Sequence, residues 1–239
     1  MLDAPFSRRL LAEFMGSAFL AATVIGSGIA AAELSPGDTG LQLLENAAAT
    51  AAGLFTFILM FGQISGAHLN PVVSLVDSAL GGLRRRDLLG YIPAQVAGCI
   101  VGAVVANLMF SLTAISISTH HRASGGHLFA EVVATLGLLL VIFSLARTGR
   151  GNIAPAAVGA YIGAAYFFTS STSFANPAID VGRMFSDTFA GIAPASVPAF
   201  ILFQLVGGAM ALAAIRILYP GITPEEASEI LVPQGAADG

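Results

Sequence analysis

Six stretches of this chain, residues 10–32, 43–65, 88–110, 127–147, 153–169 and 197–218, run with almost no charged side chains. A helix needs about 20 apolar residues to cross a bilayer core of about 30 Å, and five of the six reach that length, 153–169 being shorter. Only 10% of the residues are charged and 56% are hydrophobic. A soluble domain carries about 25% charged residues, so this chain lacks the charge to cover a water-facing surface. It reads as an all-α membrane protein. No small-residue cleavage site follows the first span, which is therefore expected to be a retained helix and not a signal peptide. A lone cysteine, Cys99, excludes an internal disulfide.

The basic residues set the orientation. All ten are arginine. With six spans and a cytoplasmic N-terminus, all but Arg122 and Arg183 fall on the cytoplasmic side, as the positive-inside rule demands. Both termini are then cytoplasmic, in a multi-pass protein of the cell (inner) membrane. The net charge of −4 comes partly from an acidic tail, PEEASE. Scattered arginines at span ends give no nucleic-acid footprint.

Three landmarks recur in order. Ala12-Glu13 matches Ala130-Glu131, Asn70-Pro71 matches Asn176-Pro177, and QVAG from Gln95 matches QLVG from Gln204, at offsets of 118, 106 and 109 residues. The near-constant offset implies a duplicated half. Each copy holds three spans, so the two lie in the membrane with opposite topology, and such inverted repeats meet at a midplane site. The chain reads as one channel domain, residues 1–239, with halves of about 1–118 and 119–225 and a cytoplasmic tail over 226–239. Small residues four apart, Gly98/Gly102 and Gly159/Gly163, suit close helix packing.

The two Asn-Pro boxes, Asn70-Pro71-Val72 and Asn176-Pro177-Ala178, each precede a short apolar segment, 72–80 and 178–185. About ten residues make ~15 Å of helix, half a membrane. Asn is a favoured N-cap and Pro fits the first helical turn. Each box thus starts a re-entrant half-helix, and inverted symmetry brings the two starts together in mid-bilayer. Each half-helix end carries about +0.5 elementary charge. Two such ends facing one another repel cations, while the Asn amides offer donors to neutral solutes and orient water against proton relay.

These motifs, HLNPVVS (68–74) and FANPA (174–178) with the paired Ala-Glu and Gln-containing spans, resemble the aquaporin or major intrinsic protein family over nearly the whole chain. The resemblance implies a right-handed bundle of six transmembrane helices and two half-helices, a pore in each protomer, and a homotetramer. Asn-Pro-Val at the first box departs from the usual Asn-Pro-Ala. Within this resemblance Glu13 and Glu131 look like structural acceptors for the loops leading into the half-helices. A proton-relay role is the alternative. His68 falls at the cytoplasmic side of the pore as a lining residue; no Cys or acidic residue accompanies it at metal-ligand spacing. His120, His121 and His127 read as a solvated loop. No metal or cofactor is implied.

Most family members carry arginine three residues after the second box Asn. Here that position is Ile179. Counting as the family motif suggests, the other outer-filter positions fall on Thr50, Ala164 and Ser173, a set with no aromatic and no charge, hence wide. Arg183, four residues beyond Ile179, lies one turn outward, a displacement of about 5 Å, and is expected to pair with Asp180 in the vestibule, with a substitute filter cation as the alternative. The leading reading is a passive channel for water and small neutral solutes, with a filter suited to polyols or uncharged metalloid hydroxides such as arsenous acid. The alternatives are a strict water channel and a coupled secondary transporter. An enzyme is disfavoured, because the two intramembrane carboxylates lie on opposite sides of the membrane.

Overall fold

A computed structural model describes residues 4–220, and among these no strand occurs. Eight α-helices follow one another: α1 (Phe6–Leu34), α2 (Thr39–Ser65), α3 (Pro71–Leu80), α4 (Leu88–Met109), α5 (Gly125–Arg147), α6 (Ala154–Phe168), α7 (Pro177–Arg183) and α8 (Val197–Leu218). Five are long and apolar enough to cross a membrane. α6, with 15 residues, is shorter and follows a 3-10 turn at Gly151–Ile153. α1 and α2 begin four residues before their expected spans. The expected tail, 226–239, lies outside the described residues.

The half-helices form for local reasons. Asn70 caps α3, its Oδ1 accepting the Val72 N–H at 2.9 Å, with Pro71 at the first helical position. Asn176 caps α7 the same way through the Ala178 N–H at 3.0 Å. α3 has 10 residues and α7 has 7, so neither spans a bilayer. α7 stops at Arg183, short of the expected 185, because Met184 and Phe185 turn back onto the carbonyls of Val181 and Gly182.

Packing repeats the duplication. α1 lies against α2 and α4 as α5 lies against α6 and α8, and α2 against α6 joins the halves. Each half-helix touches the last helix of the other half as well as its own: α3 meets α8 and α4, α7 meets α4 and α8, and α3 meets α7. The closest approaches are matched too. Gly98 of α4 abuts the Phe14 carbonyl of α1, and Gly207 of α8 sits where a Cβ would lie 2.7 Å from the Val132 carbonyl of α5. Both glycines stand three residues after the repeat's Gln and face the residue after the repeat's Glu.

The distribution of polarity is that of a protein whose solvent is lipid. Glu13, Glu131, Gln95 and Gln204 are wholly buried, while Leu89 and Phe129 are 83% and 67% exposed. Gly102 permits the α1–α4 contact, a Cβ there running into the Ala18 carbonyl. Gly102→Val should therefore force the pair apart at a cost of about 1–3 kcal/mol, seen as a lower unfolding temperature in detergent. Gly125→Ala, with nothing within 4 Å of its Cβ, should leave that temperature unchanged.

Candidate permeation pathway

The loops that lead into α3 and α7 carry backbone no helix satisfies, in conformations that side chains resist. Ala67 and Leu69 have φ of 46° and 49°, and Ser173 and Ala175, the positions 106 residues on, have 51° and 46°. Left-handed non-glycine residues cost about 1–3 kcal/mol each and persist only where surroundings hold them. The holding groups are the repeat's carboxylates. Glu13 accepts the N–H groups of His68 (3.0 Å) and Leu69 (2.8 Å), the Ser65 hydroxyl (2.6 Å) and Gln95 Nε2 (2.8 Å). Glu131 accepts those of Phe174 (3.0 Å) and Ala175 (2.8 Å) together with Gln204 Nε2 (2.6 Å). The Ala-Glu pair, the box and the Gln of each half thus converge on one carboxylate.

The boxes are also tied to each other. Asn70 Nδ2 donates to the Ala175 carbonyl at 2.7 Å, and Asn176 Nδ2 donates to the Leu69 carbonyl at 2.8 Å. An amide nitrogen has two hydrogens, so each keeps one for another acceptor. Both asparagines line a cavity walled by α1, α2, α5 and α6 together with the two half-helices and the loops that enter them. Leu20, Val24, Leu138 and Ile162 wall it with carbon, and residues 67–70 and 173–176 run along it.

At the end remote from most arginines, the cavity is bounded by Thr50, Tyr166, Ser173, Ile179 and Arg183. Thr50 Oγ1 and the Tyr166 hydroxyl lie 3.1 Å apart and bridge α2 to α6. Ser173 Oγ is buried without a protein partner, and Ser173 lines the cavity. Ala164 does not belong to this set. It is exposed on the outer face of α6, while Val158, Ile162 and Tyr166, four residues apart, face inward. A helix turns about 100° per residue, which sets Ala164 on the far side from both Ile162 and Tyr166. This end of the cavity therefore has an aromatic wall that the sequence did not suggest, and a cation beside it.

The cation is Arg183. Its guanidinium lies 3.4 Å from the centre of the Phe174 ring and donates through Nε to the Ala190 carbonyl. The surface ion pair with Asp180 does not form. Both side chains are buried, and Asp180 turns the other way, accepting from Gln204 Nε2 at 3.3 Å. Side-chain length carries Arg183 back across the one-turn displacement to the same cavity as Ile179. Arg122 approaches the other side of this neighbourhood, 5.4 Å from the Phe174 ring, and donates to the carbonyls of Gly191 and Phe189.

At the arginine-rich end, His68 lines the cavity. Its Nδ1 is 3.0 Å from Ser74 Oγ and its Nε2 is 3.3 Å from Asp77 Oδ2. The other histidines lie elsewhere. His127 Nδ1 is 2.6 Å from the Arg122 carbonyl, and His120 is 3.7 Å from Asp187 at the surface. Among the described residues no His, Cys, Asp and Glu group is arranged to hold a metal ion. Tyr166, Phe174 and Asp77 were not singled out from sequence. Tyr166 was detectable through the four-residue spacing from Ile162, and Asp77 through its repeat relation to Arg183.

Removing one carboxylate should uncouple a loop from its half-helix. Glu131→Ala leaves the N–H groups of Phe174 and Ala175 buried without acceptors, at about 1–3 kcal/mol each. The expected result is loss of monodisperse protein in detergent, with Glu131→Gln retaining more of it. A well-assembled Glu131→Ala protein would contradict the assignment.

The comparisons with known proteins agree with this geometry. A family model described as Major intrinsic protein matches residues 1–185. The chain is 43% identical over 224 residues to the aquaglyceroporin AqpS of Rhizobium meliloti (strain 1021), covering 94% of this chain and 95% of that one. It is 31% identical to a glycerol uptake facilitator protein of Pseudomonas aeruginosa, with 91% of each chain covered. The X-ray structure of an aquaglyceroporin from Plasmodium falciparum superposes with a TM-score of 0.70 at 22% identity, over 90% of this chain and 98% of that one. With the paired half-helices, their carboxylate anchors and the family match over most of its length, the chain belongs to the major intrinsic protein family.

Proposed function

We propose that this chain is a passive membrane channel for water and small neutral solutes, with an outer constriction built from Thr50, Tyr166, Ser173, Ile179 and Arg183. The observation that carries the reading is the reciprocal pair of Asn70 and Asn176 bonds at the meeting of two half-helix N-termini. The positive helix ends face the lumen there, where a cation has lost part of its hydration. A water accepting from an amide hydrogen points its own hydrogens away, and the proton chain breaks. Glu13 and Glu131 are engaged by backbone N–H groups, which leaves them no part in a proton relay. The channel performs no bond chemistry and is not an enzyme.

The arginine-rich end is assigned to the cytoplasm by the positive-inside rule, with both termini there, the protein lying in the cell membrane as a homotetramer. Polyols and uncharged metalloid hydroxides such as arsenous acid are the proposed cargo beside water. The names of the relatives, an aquaglyceroporin and a glycerol facilitator, support this class. A strict water channel is the second reading, and it draws on the guanidinium stacked over Phe174, which narrows the outer end.

Two variants decide the constriction. Arg183→Ala removes a fixed positive charge and the widest side chain at that end, so the glycerol-to-water permeability ratio should rise and cation leak should appear. Ile179→Arg adds a second guanidinium beside the first, so the ratio should fall. The measurement is stopped-flow light scattering of proteoliposomes at matched protein density. An unchanged ratio in Arg183→Ala would remove that residue from the constriction.

Asn176→Asp tests the midplane separately. A carboxylate there offsets the helix-end positive charge and removes the amide donor, so cation conductance should rise. Normal insertion with no added conductance would contradict the role given to Asn176.

A further inference from the structure

The inner mouth of the pathway carries a side-chain pair that the channel reading leaves unused. Seven residues beyond Asn70 stands Asp77, and seven beyond Asn176 stands Arg183; two before each asparagine stand His68 and Phe174. The repeat therefore builds one device at both ends, a loop ring held by a charged group from the second turn of the half-helix. At one end it is Phe174 under a guanidinium, at the other His68 against a carboxylate.

We propose, building on the channel reading, that Asp77 is a positioning residue that pins the His68 ring to the pore wall and makes this mouth indifferent to pH. Both ring nitrogens are taken by wall partners, Nδ1 by Ser74 and Nε2 by Asp77, three residues apart on one face of α3. Ser74 is itself fixed, accepting from Gln95 Nε2 at 2.9 Å and placing its hydroxyl 3.2 Å from the Asn70 carbonyl. The Tyr91 ring of α4 meets the imidazole edge-on at 5.5 Å, and Glu13 of α1 holds the His68 backbone N–H. With both nitrogens engaged, the ring leaves a passing hydroxyl no free nitrogen to pair with.

The same contact fixes the charge. His68 and Asp77 are 7% and 3% exposed. One proton shared between ring and carboxylate keeps the unit neutral, whether it is written as an ion pair or as two neutral groups. Losing that proton leaves a buried anion and gaining another leaves a buried cation, each a costly state. The other charged and titratable groups that face the pair are Glu13 and Arg9 from α1, Tyr91 from α4 and Arg147 from α5. Arg9 is met by Asp87 at 3.1 Å and by the Tyr91 hydroxyl at 2.9 Å, and Glu13 is filled with donors.

The test is the pH profile of glycerol and water permeability in proteoliposomes, with the same pH on both sides, from about 5.5 to 8. The wild-type protein should vary by less than about 1.5-fold across that range. In Asp77→Asn the ring keeps a hydrogen-bond acceptor and loses its counter-charge, so any proton that His68 takes up is an uncompensated charge at the pore wall. Glycerol flux should then fall about three-fold or more on the acid side, as an uncompensated imidazolium binds the solutes it meets. Adding His68→Gln to Asp77→Asn should flatten the profile again, which a merely structural role for Asp77 would not produce. A flat profile in Asp77→Asn, or a slope in the wild type, overturns the inference while leaving the channel reading standing. A wild-type protein with no flux above empty vesicles at any pH overturns the channel reading and the inference with it.

Discussion

Two helices that stop half-way across a bilayer leave backbone N–H groups at a depth where each unsatisfied group costs several kcal/mol. Everything distinctive about this molecule answers that cost. Glu13 and Glu131 reach from the first helix of each half to the loop that enters the half-helix, and each takes two successive N–H groups. A carboxylate suits the task because its two oxygens accept several bonds at once. Its burial is tolerable because Gln95 or Gln204 from the last helix of the half adds a further donor. A neutral acceptor would serve fewer groups, and an apolar residue none.

The same bonds that close the fold prepare the pathway. With the loops held in left-handed conformations, the two boxes can approach until each asparagine donates to the carbonyl before the other. This fixes both half-helix ends at one place on the cavity wall. On the proposed reading, selectivity against charge needs no mobile part. It follows from rigid dipoles in a surround of low polarity. On the proposed reading size selection falls to the ends, where Ile179 and the Arg183 guanidinium reach the same cavity.

Much of this was legible in the sequence, because the strongest constraints are periodic or repeated. Span count followed from apolar length, and the half-helices from Asn-Pro before segments too short to cross. The convergence of Glu13, Gln95 and the first box was visible as a recurring order of landmarks, although order alone does not reveal contact. Ala164 was misplaced because counting back from the box fixes a distance along the chain and not a face of α6. The four-residue spacing of Val158, Ile162 and Tyr166 selects the face, and it selects Tyr166. Arg183, one turn beyond Ile179, still reaches the cavity because one turn of rise is shorter than an arginine side chain. Asp77 escaped notice because a lone aspartate in a short apolar segment reads as a span boundary until its repeat mate, Arg183, is placed beside it.

The central claim is that rigid dipoles and amide donors at the boxes pass neutral molecules and stop charge. Its most direct test is one panel on one preparation: water, glycerol, urea and arsenous acid permeability in proteoliposomes, with proton flux read under an imposed pH gradient. The account predicts permeability above empty vesicles for water and at least one of the neutral solutes, with proton flux indistinguishable from the empty control. Proton flux rising in step with solute uptake would contradict it.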